Sequence, residues 1–405
     1  MTVDPINKID KLFPDYRGDN EKLVALLART SQILTKWLAD SKNIGPLPIV
    51  DNHKCSMPEE KGSSSEILFS EIESLIYSSF NPSHPGSLAH LDPPPLLISI
   101  IGDVIAACLN NNLLANELSP SISLLEESIC QWISNKLGFN ELAGGIAASG
   151  GTLSNLNALV AARFSAGLES DPNAVFIASE DAHSSFKKCA RIMGLSVENF
   201  IKVKTDINGS MDLTNLKNIV DKCAQEGKNI FSIVATFGTT IRGAIDPIED
   251  ISNFCRDRKI WLHIDGSIGG IFGLTDISIK GVNYICKSNS VTINPQKILG
   301  ITKTSSLLIV SDRKVLENAF STGLPYIASN NNTIDRGELG IQGSRPAEII
   351  KLWLGLRFLG MIGIEEILGS SIQRKNYFER NLNKDKYDIY SGPLHIVTFL
   401  PRDIN

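Results

Sequence analysis

No cluster of lysines and arginines stands anywhere in this chain of 405 residues, whose net charge is −5. Without such a cluster there is no electrostatic footprint for a nucleic acid or an acidic lipid surface. Nor does any apolar run reach membrane-spanning length: the longest, Pro93 to Leu109, opens with three prolines and is broken by Asp103. The opening stretch MTVDPINKIDKLFPDYRG scatters charges and has no apolar core, so no signal peptide is expected. The cysteines (Cys55, Cys108, Cys130, Cys189, Cys223, Cys255 and Cys286) are odd in number, far apart and without a C-x-x-C pair. That pattern argues against a disulfide framework or a zinc site, and the expectation is a protein of the reducing cytosol with structural cysteines and no metal. Internal repeats are absent too, and the short biased runs at Gly62–Ser65 and Ser329–Asn332 read as loops. What remains is an ordinary globular composition, 42% hydrophobic and 20% charged, at a length that suits two domains or one large domain with appendages.

Residues 1–80 are expected to be largely helical, since Glu21 to Leu38 carries apolar residues at helical spacing. The segment NPSHPGSLAHLDPPPLL follows, where prolines 82, 85 and 93–95 forbid regular helix or central strand. Ser119-Pro120 is a good start for the next helix, predicted to bury Leu125, Ile129, Trp132 and Ile133. From about residue 146 the texture changes to short β-rich runs alternating with helical ones: 174–179, 200–204, 231–238, 260–267, 290–295 and 305–312. Near-continuous apolar strands separated by helices indicate an α/β domain with a mostly parallel, buried sheet. The predicted division is a helical segment over 1–80, a large α/β domain over 81–312, and a loop, helix and partial small domain over 313–405.

In such a sheet ligands sit off the strand ends, and three ends carry polar residues. Gly150, Gly151 and Thr152 precede a helical run; glycines let backbone N–H groups approach an anion, and the helix N-terminus favours negative charge. The spacing is not G-x-G-x-x-G, which counts against a dinucleotide site. Asp265 closes an apolar strand and is followed by small residues, leaving room for a flat ring; a buried carboxylate there needs a cation. Lys297 follows a strand and a proline amid Ile293, Ile298 and Leu299, where its charged form is disfavoured, as a Schiff-base lysine requires. Singly, each has a plainer reading: a tight turn, a turn-capping aspartate, a surface lysine with an apolar stem. Together they are the anchors of pyridoxal phosphate: a phosphate cradle, a partner for the ring nitrogen and an amine for the aldehyde.

The blocks HSSFKKCARIMGL (183–195), ATFGTT with GAIDPIEDI (235–251), WLHIDGSIGG (261–270) and NPQKILG (294–300) resemble, in order, those of the group II pyridoxal-dependent decarboxylases. HPGSLAHLDPPPLL, ELSPSISLLEESICQWI and SGGTLSNLNAL are similar to the family's earlier blocks, so the resemblance runs from about residue 80 to about 360. It implies a pyridoxal-phosphate fold of type I, like aspartate aminotransferase, and decarboxylation of an L-amino acid by a homodimer. It assigns the cofactor Schiff base to Lys297, the ring-nitrogen partner to Asp265, a stacking imidazole to His183 and the opposite ring face to Ser267. Gly150, Gly151, Thr152 and Asn294 would hold the phosphate, and Thr240 would lie near the ring. His90 becomes a substrate contact, and Tyr326, in a mobile loop beyond the lysine, becomes the proton donor to the substrate carbon.

The chain also departs from the pattern. Gln296 replaces the usual histidine before the lysine; it can donate a hydrogen bond but cannot titrate. Gly266 and Ser267 stand for small alanines, and Ser344-Arg345-Pro346 for a pair of arginines, of which Arg345 is carried over. These point to a divergent subfamily near the diaminobutyrate- and glutamate-type enzymes. After the KLWLGLRFLG helix only YDIYSG and LHIVTFL read as strands, so the small domain is expected to be shortened. Two further readings stand beside the first: another pyridoxal reaction, such as that of an aminotransferase or desulfurase, and a catalytically impaired relative serving as dimer partner or binding protein.

Overall fold

The computed structural model describes residues 13, 14, 18, 20–48, 56–58, 60–88, 90–323 and 334–403. The chain divides into two units, Met1–His90 and Leu91–Asn405.

The first unit carries helix α1 (Glu21–Ile44) and helix α2 (Ser65–Tyr77). The apolar spacing seen over Glu21 to Leu38 continues to Ile44, and Gly45 ends the helix with a φ of 81°. Ser64 caps α2 by accepting the Ile67 N–H. The two helices are tied by Lys36 to Glu73 at 3.0 Å and by the Tyr77 hydroxyl to Asp40 at 2.5 Å. Their apolar residues remain largely exposed, Ile33 being the one that α1 buries.

In the second unit, helix α3 (Leu97–Leu109) and helix α4 (Pro120–Lys136) precede strand β1 (Gly144–Ala148). Then follow helix α5 (Gly151–Ser165), β2 (Ala174–Ser179), helix α6 (Ser185–Ile192) and β3 (Phe200–Val203). Helix α7 (Leu213–Gln225), β4 (Asn229–Thr236), helix α8 (Ile248–Arg258), β5 (Trp261–Gly266), β6 (Ser290–Ile293) and β7 (Ser306–Val310) complete one seven-stranded sheet. Its order is β1-β7-β6-β5-β4-β2-β3. The pairs among β2, β3, β4, β5 and β6 are parallel, and β7 runs antiparallel between β6 and β1. Helix α9 (Lys314–Phe320) and the long helix α10 (Ile349–Asn381), kinked at Gly360, lead to an antiparallel pair, β8 (Tyr387–Ser391) and β9 (Val397–Pro401).

The predicted α/β architecture of type I therefore stands, with six of its strands where the apolar runs placed them. Strand β1, a GGIAA run, was not foreseen. Its two glycines lower strand propensity, and it forms because Gly145 lets β7 approach: a Cβ there would lie 2.2 Å from the Leu308 carbonyl. Helix α4 differs as well. Its buried face carries Ile122, Glu126, Ile129, Cys130 and Ile133, while Leu125 and Trp132 are only partly covered. The face is rotated because the Glu126 carboxylate is drawn inward by buried arginines.

Both faces of the sheet are covered, and alternation along β5 assigns its side chains. Leu262 and Ile264 enter the main core, whereas His263 and Asp265 face helix α5, where both bond Asn155. Topology then decides where chemistry can sit. The C-terminal ends of the parallel strands and the N-terminal end of antiparallel β7 lie along one edge, beside helix α5's N-terminus.

Candidate active site

That edge opens into a cleft of about 160 Å3. Its walls come from Gly151 and Thr152 at the start of α5, His183 after β2, Thr236, Gly238 and Thr240 around the end of β4, Asp265 near the end of strand β5 with Ser267 and Ile268 beyond it, and Asn294, Gln296 and Lys297 after β6. The strand-end residues singled out in the sequence are thus brought together. Gly150 flanks them as the N-cap of α5, with a φ of 92° that only glycine adopts without strain. His90 closes the first unit, exposed and left-handed with a φ of 68°. Tyr326 lies outside the described residues.

Asp265 is 4% exposed at the floor. One carboxylate oxygen accepts the Ser267 N–H at 3.2 Å and the other the Asn155 amide N–H at 3.1 Å. Burial pushes the Lys297 amine below its ordinary range, against the opposing pull of Asp265 and Asp92, so more of it is neutral and nucleophilic. Burial likewise lowers the His183 imidazole, with Asp265 opposing and Lys297 and Lys188 assisting. Because the Ser185 N–H donates to His183 Nδ1 at 3.3 Å, the proton of the neutral ring sits on Nε2. Gln296, expected to donate, uses its carbonyl oxygen to accept the Ser305 N–H at 2.5 Å, which fixes the turn that carries Lys297.

Three features fit a phosphorylated planar ring. No side chain caps helix α5, so its first N–H groups are available to an anion, and the helix dipole favours one there. The cradle is tight: a Cβ on Gly151 would meet Asn294 Nδ2 at 2.6 Å and Ser267 Oγ at 2.9 Å. Thr236 Oγ1, in the cleft wall, is buried without a hydrogen-bond partner, a costly state for a hydroxyl that has no ligand to meet.

Sequence reasoning missed the polar residues that support this wall. Asn155 and His263 stand under Asp265; the available signal was that 263 and 265 share one strand face and that Asn155 lies one helical turn beyond Gly151. It also missed Glu126 and Arg336. Glu126 is bonded by Arg345 at 2.6 and 2.8 Å and by Arg336 at 2.9 and 3.0 Å, all three being buried. The second arginine beside Arg345 thus comes from nine positions upstream. Burial raises the Glu126 carboxyl, but the two guanidinium groups outweigh it and hold it at about 2.

A family model described as the pyridoxal-dependent decarboxylase conserved domain matches residues 49–394. The frog (Xenopus tropicalis) acidic amino acid decarboxylase GADL1 is 32% identical over 394 residues, covering 93% of this chain and 75% of that protein. Its human namesake is 29% identical over 322 residues, covering 76% of this chain but 62% of its own length, so the chain spans less than two thirds of that relative. Among solved structures, a rice (Oryza sativa) protein, described as TDC with PLP and tryptamine, superposes with a TM-score of 0.89 at 19% identity. That overlap covers 96% of this chain and 85% of the rice chain, a likeness of fold.

Proposed function

The chain belongs to the group II pyridoxal-phosphate-dependent decarboxylases, and from that premise we propose that it removes the α-carboxylate of an acidic L-amino acid as CO2, with Lys297 as the residue that binds the cofactor. The observation that carries the reading is the convergence of Lys297, Asp265 and His183 on one cleft that also holds an uncapped helix start. An acidic substrate is favoured by the name of the relative at 32% identity.

When bound, pyridoxal phosphate supplies an electron sink for the pair left behind as CO2 departs. The chain's own residues do the rest. The N–H groups at the start of α5, with Thr152 and Asn294, would hold the phosphate and so fix the ring's position. Asp265, anchored by Asn155 and the Ser267 N–H, meets the ring nitrogen and keeps a proton on it. His183 presents a neutral imidazole with its proton on Nε2 and would cover one face of the bound ring, with Ser267 on the other. Lys297, partly desolvated, offers a neutral amine to the cofactor's aldehyde. Tyr326 is our proposed proton donor to the substrate carbon, and His90 our proposed substrate contact.

We also propose a homodimer in the cytosol. Helix α3 leaves Leu97, Ile101 and Leu109 at 75%, 50% and 49% exposure along an apolar face, and a second copy would cover it. The described cysteines are all unpaired, as a reducing compartment keeps them. Among the described residues no helix is long and apolar enough to cross a membrane.

The test is CO2 release from a panel of acidic, basic and aromatic L-amino acids by the purified protein with added pyridoxal phosphate. Release from glutamate, aspartate or a sulfinic analogue supports the proposal. Release from a basic or aromatic member alone would correct the substrate class, and none from a chain that still binds cofactor would overturn the reaction.

A further inference from the structure

We propose that Asn155, His263, Ser290 and Trp261 form a one-directional hydrogen-bond relay that positions Asp265 against the cofactor's ring nitrogen, a role that deepens the cofactor reading above and rests on it. The chain of contacts is short and continuous. The Trp261 indole N–H donates to Ser290 Oγ at 2.9 Å. Ser290 Oγ lies 2.9 Å from His263 Nδ1, and His263 Nε2 lies 3.0 Å from Asn155 Oδ1. Asn155 Nδ2 then reaches Asp265 Oδ2 at 3.1 Å. Asn155, His263 and Ser290 are buried, at 1%, 0% and 0% exposure, so the links from Ser290 to Asp265 lack competition from water, while Trp261 is half-buried.

The direction of every proton follows from one end. A carboxylate only accepts, so the Asn155 NH2 must face Asp265, and its carbonyl oxygen must face His263. That oxygen also only accepts, so His263 carries its proton on Nε2. Nδ1 is then a bare acceptor and takes the Ser290 O–H, while the Ser290 oxygen accepts from Trp261. Burial holds His263 down to about 4, which agrees with a neutral ring. Each donor therefore points towards Asp265, and the bonds polarise one another in the same sense. The sheet builds this register: Trp261, His263 and Asp265 alternate on one face of β5, Ser290 pairs with His263 across β6, and Asn155 descends from α5.

Trp261, Ser290, His263 and Asn155 act through Asp265 and are positioning residues. The relay is tested by measuring the affinity of the full chain for pyridoxal phosphate and for its 1-deaza analogue, in which a C–H replaces the ring nitrogen. Asn155→Leu should weaken pyridoxal phosphate roughly tenfold, the scale of one lost charge-assisted hydrogen bond, and change the analogue by less than about twofold. His263→Leu should behave likewise, and His263→Gln, whose amide N–H can still donate to Asn155, should restore most of the difference. This pair also covers the case in which Asn155→Leu fails to fold. Nitrogen NMR of the cofactor-free chain should find His263 neutral with its proton on Nε2 at pH 7. Equal losses for the two ligands, no loss for either, or a His263 proton on Nδ1 would each overturn the relay. If the unaltered chain retained neither ligand, the cofactor reading itself would fall and the relay with it.

Discussion

Replacing Glu126 by Gln should cost this protein several kcal/mol at neutral pH and almost nothing in acid. Glu126 is fully buried and receives four hydrogen bonds from Arg336 and Arg345. Glu126→Gln removes the negative charge and leaves two buried guanidinium groups facing each other, a change that costs about 3–5 kcal/mol in comparable settings. Proton linkage gives the same magnitude. The carboxyl falls from 4.5 to about 2 on folding, worth roughly 3 kcal/mol. Because the folded value is the lower one, this stabilisation is fully present above pH 4.5 and is lost as pH falls through 2. Urea unfolding of the two proteins, followed by circular dichroism at pH 7, 4.5 and 2.5, should therefore give a large gap that narrows steadily below pH 4.5. Coincident curves at pH 7, or a gap that persists unchanged to pH 2.5, would refute the reasoning. The consequence extends to the cleft, since Arg336 also donates to the Gly145 carbonyl at 2.6 Å and Glu126 accepts the Ala147 N–H, holding the strand that leads into the cradle.

Gly151→Ala should leave the circular dichroism spectrum unchanged yet weaken pyridoxal phosphate by tenfold or more in equilibrium dialysis, because the new methyl collides with Asn294 and Ser267. Asp265→Asn removes a charge that raises the Lys297 amine. The pH midpoint for capture of an aldehyde by Lys297 should move further down in that variant; an unchanged or raised midpoint would contradict the assignment. His183 should titrate below the ordinary 6.5 in NMR, since burial disfavours its cation, and Ser185→Ala, which keeps the backbone N–H on Nδ1, should leave the neutral ring's proton on Nε2.

What was legible in the sequence was whatever depends on period and on chain ends. β2, β5 and β6 are buried on both faces, so they read as apolar runs, and Asp265 and Lys297 stood out as polar residues just beyond such runs. β1 was not legible because two of its five residues are glycines, whose reasons are distant neighbours: Arg313 beside Gly144 and strand β7 beside Gly145. Nor were the supports of the site. Asn155 lies 108 residues from His263, and Glu126 lies 210 from Arg336. Such pairs are set by register and helix rotation, which no local pattern encodes. The inward turn of Glu126 also explains why hydrophobicity alone misjudged the buried face of α4.

The most direct test of the central claim is borohydride reduction of the chain with pyridoxal phosphate, followed by peptide mass spectrometry. The pyridoxyl mass should appear on Lys297 at one group per chain and vanish in Lys297→Ala. A label spread over surface lysines, or one that survives Lys297→Ala at full yield, would contradict the account.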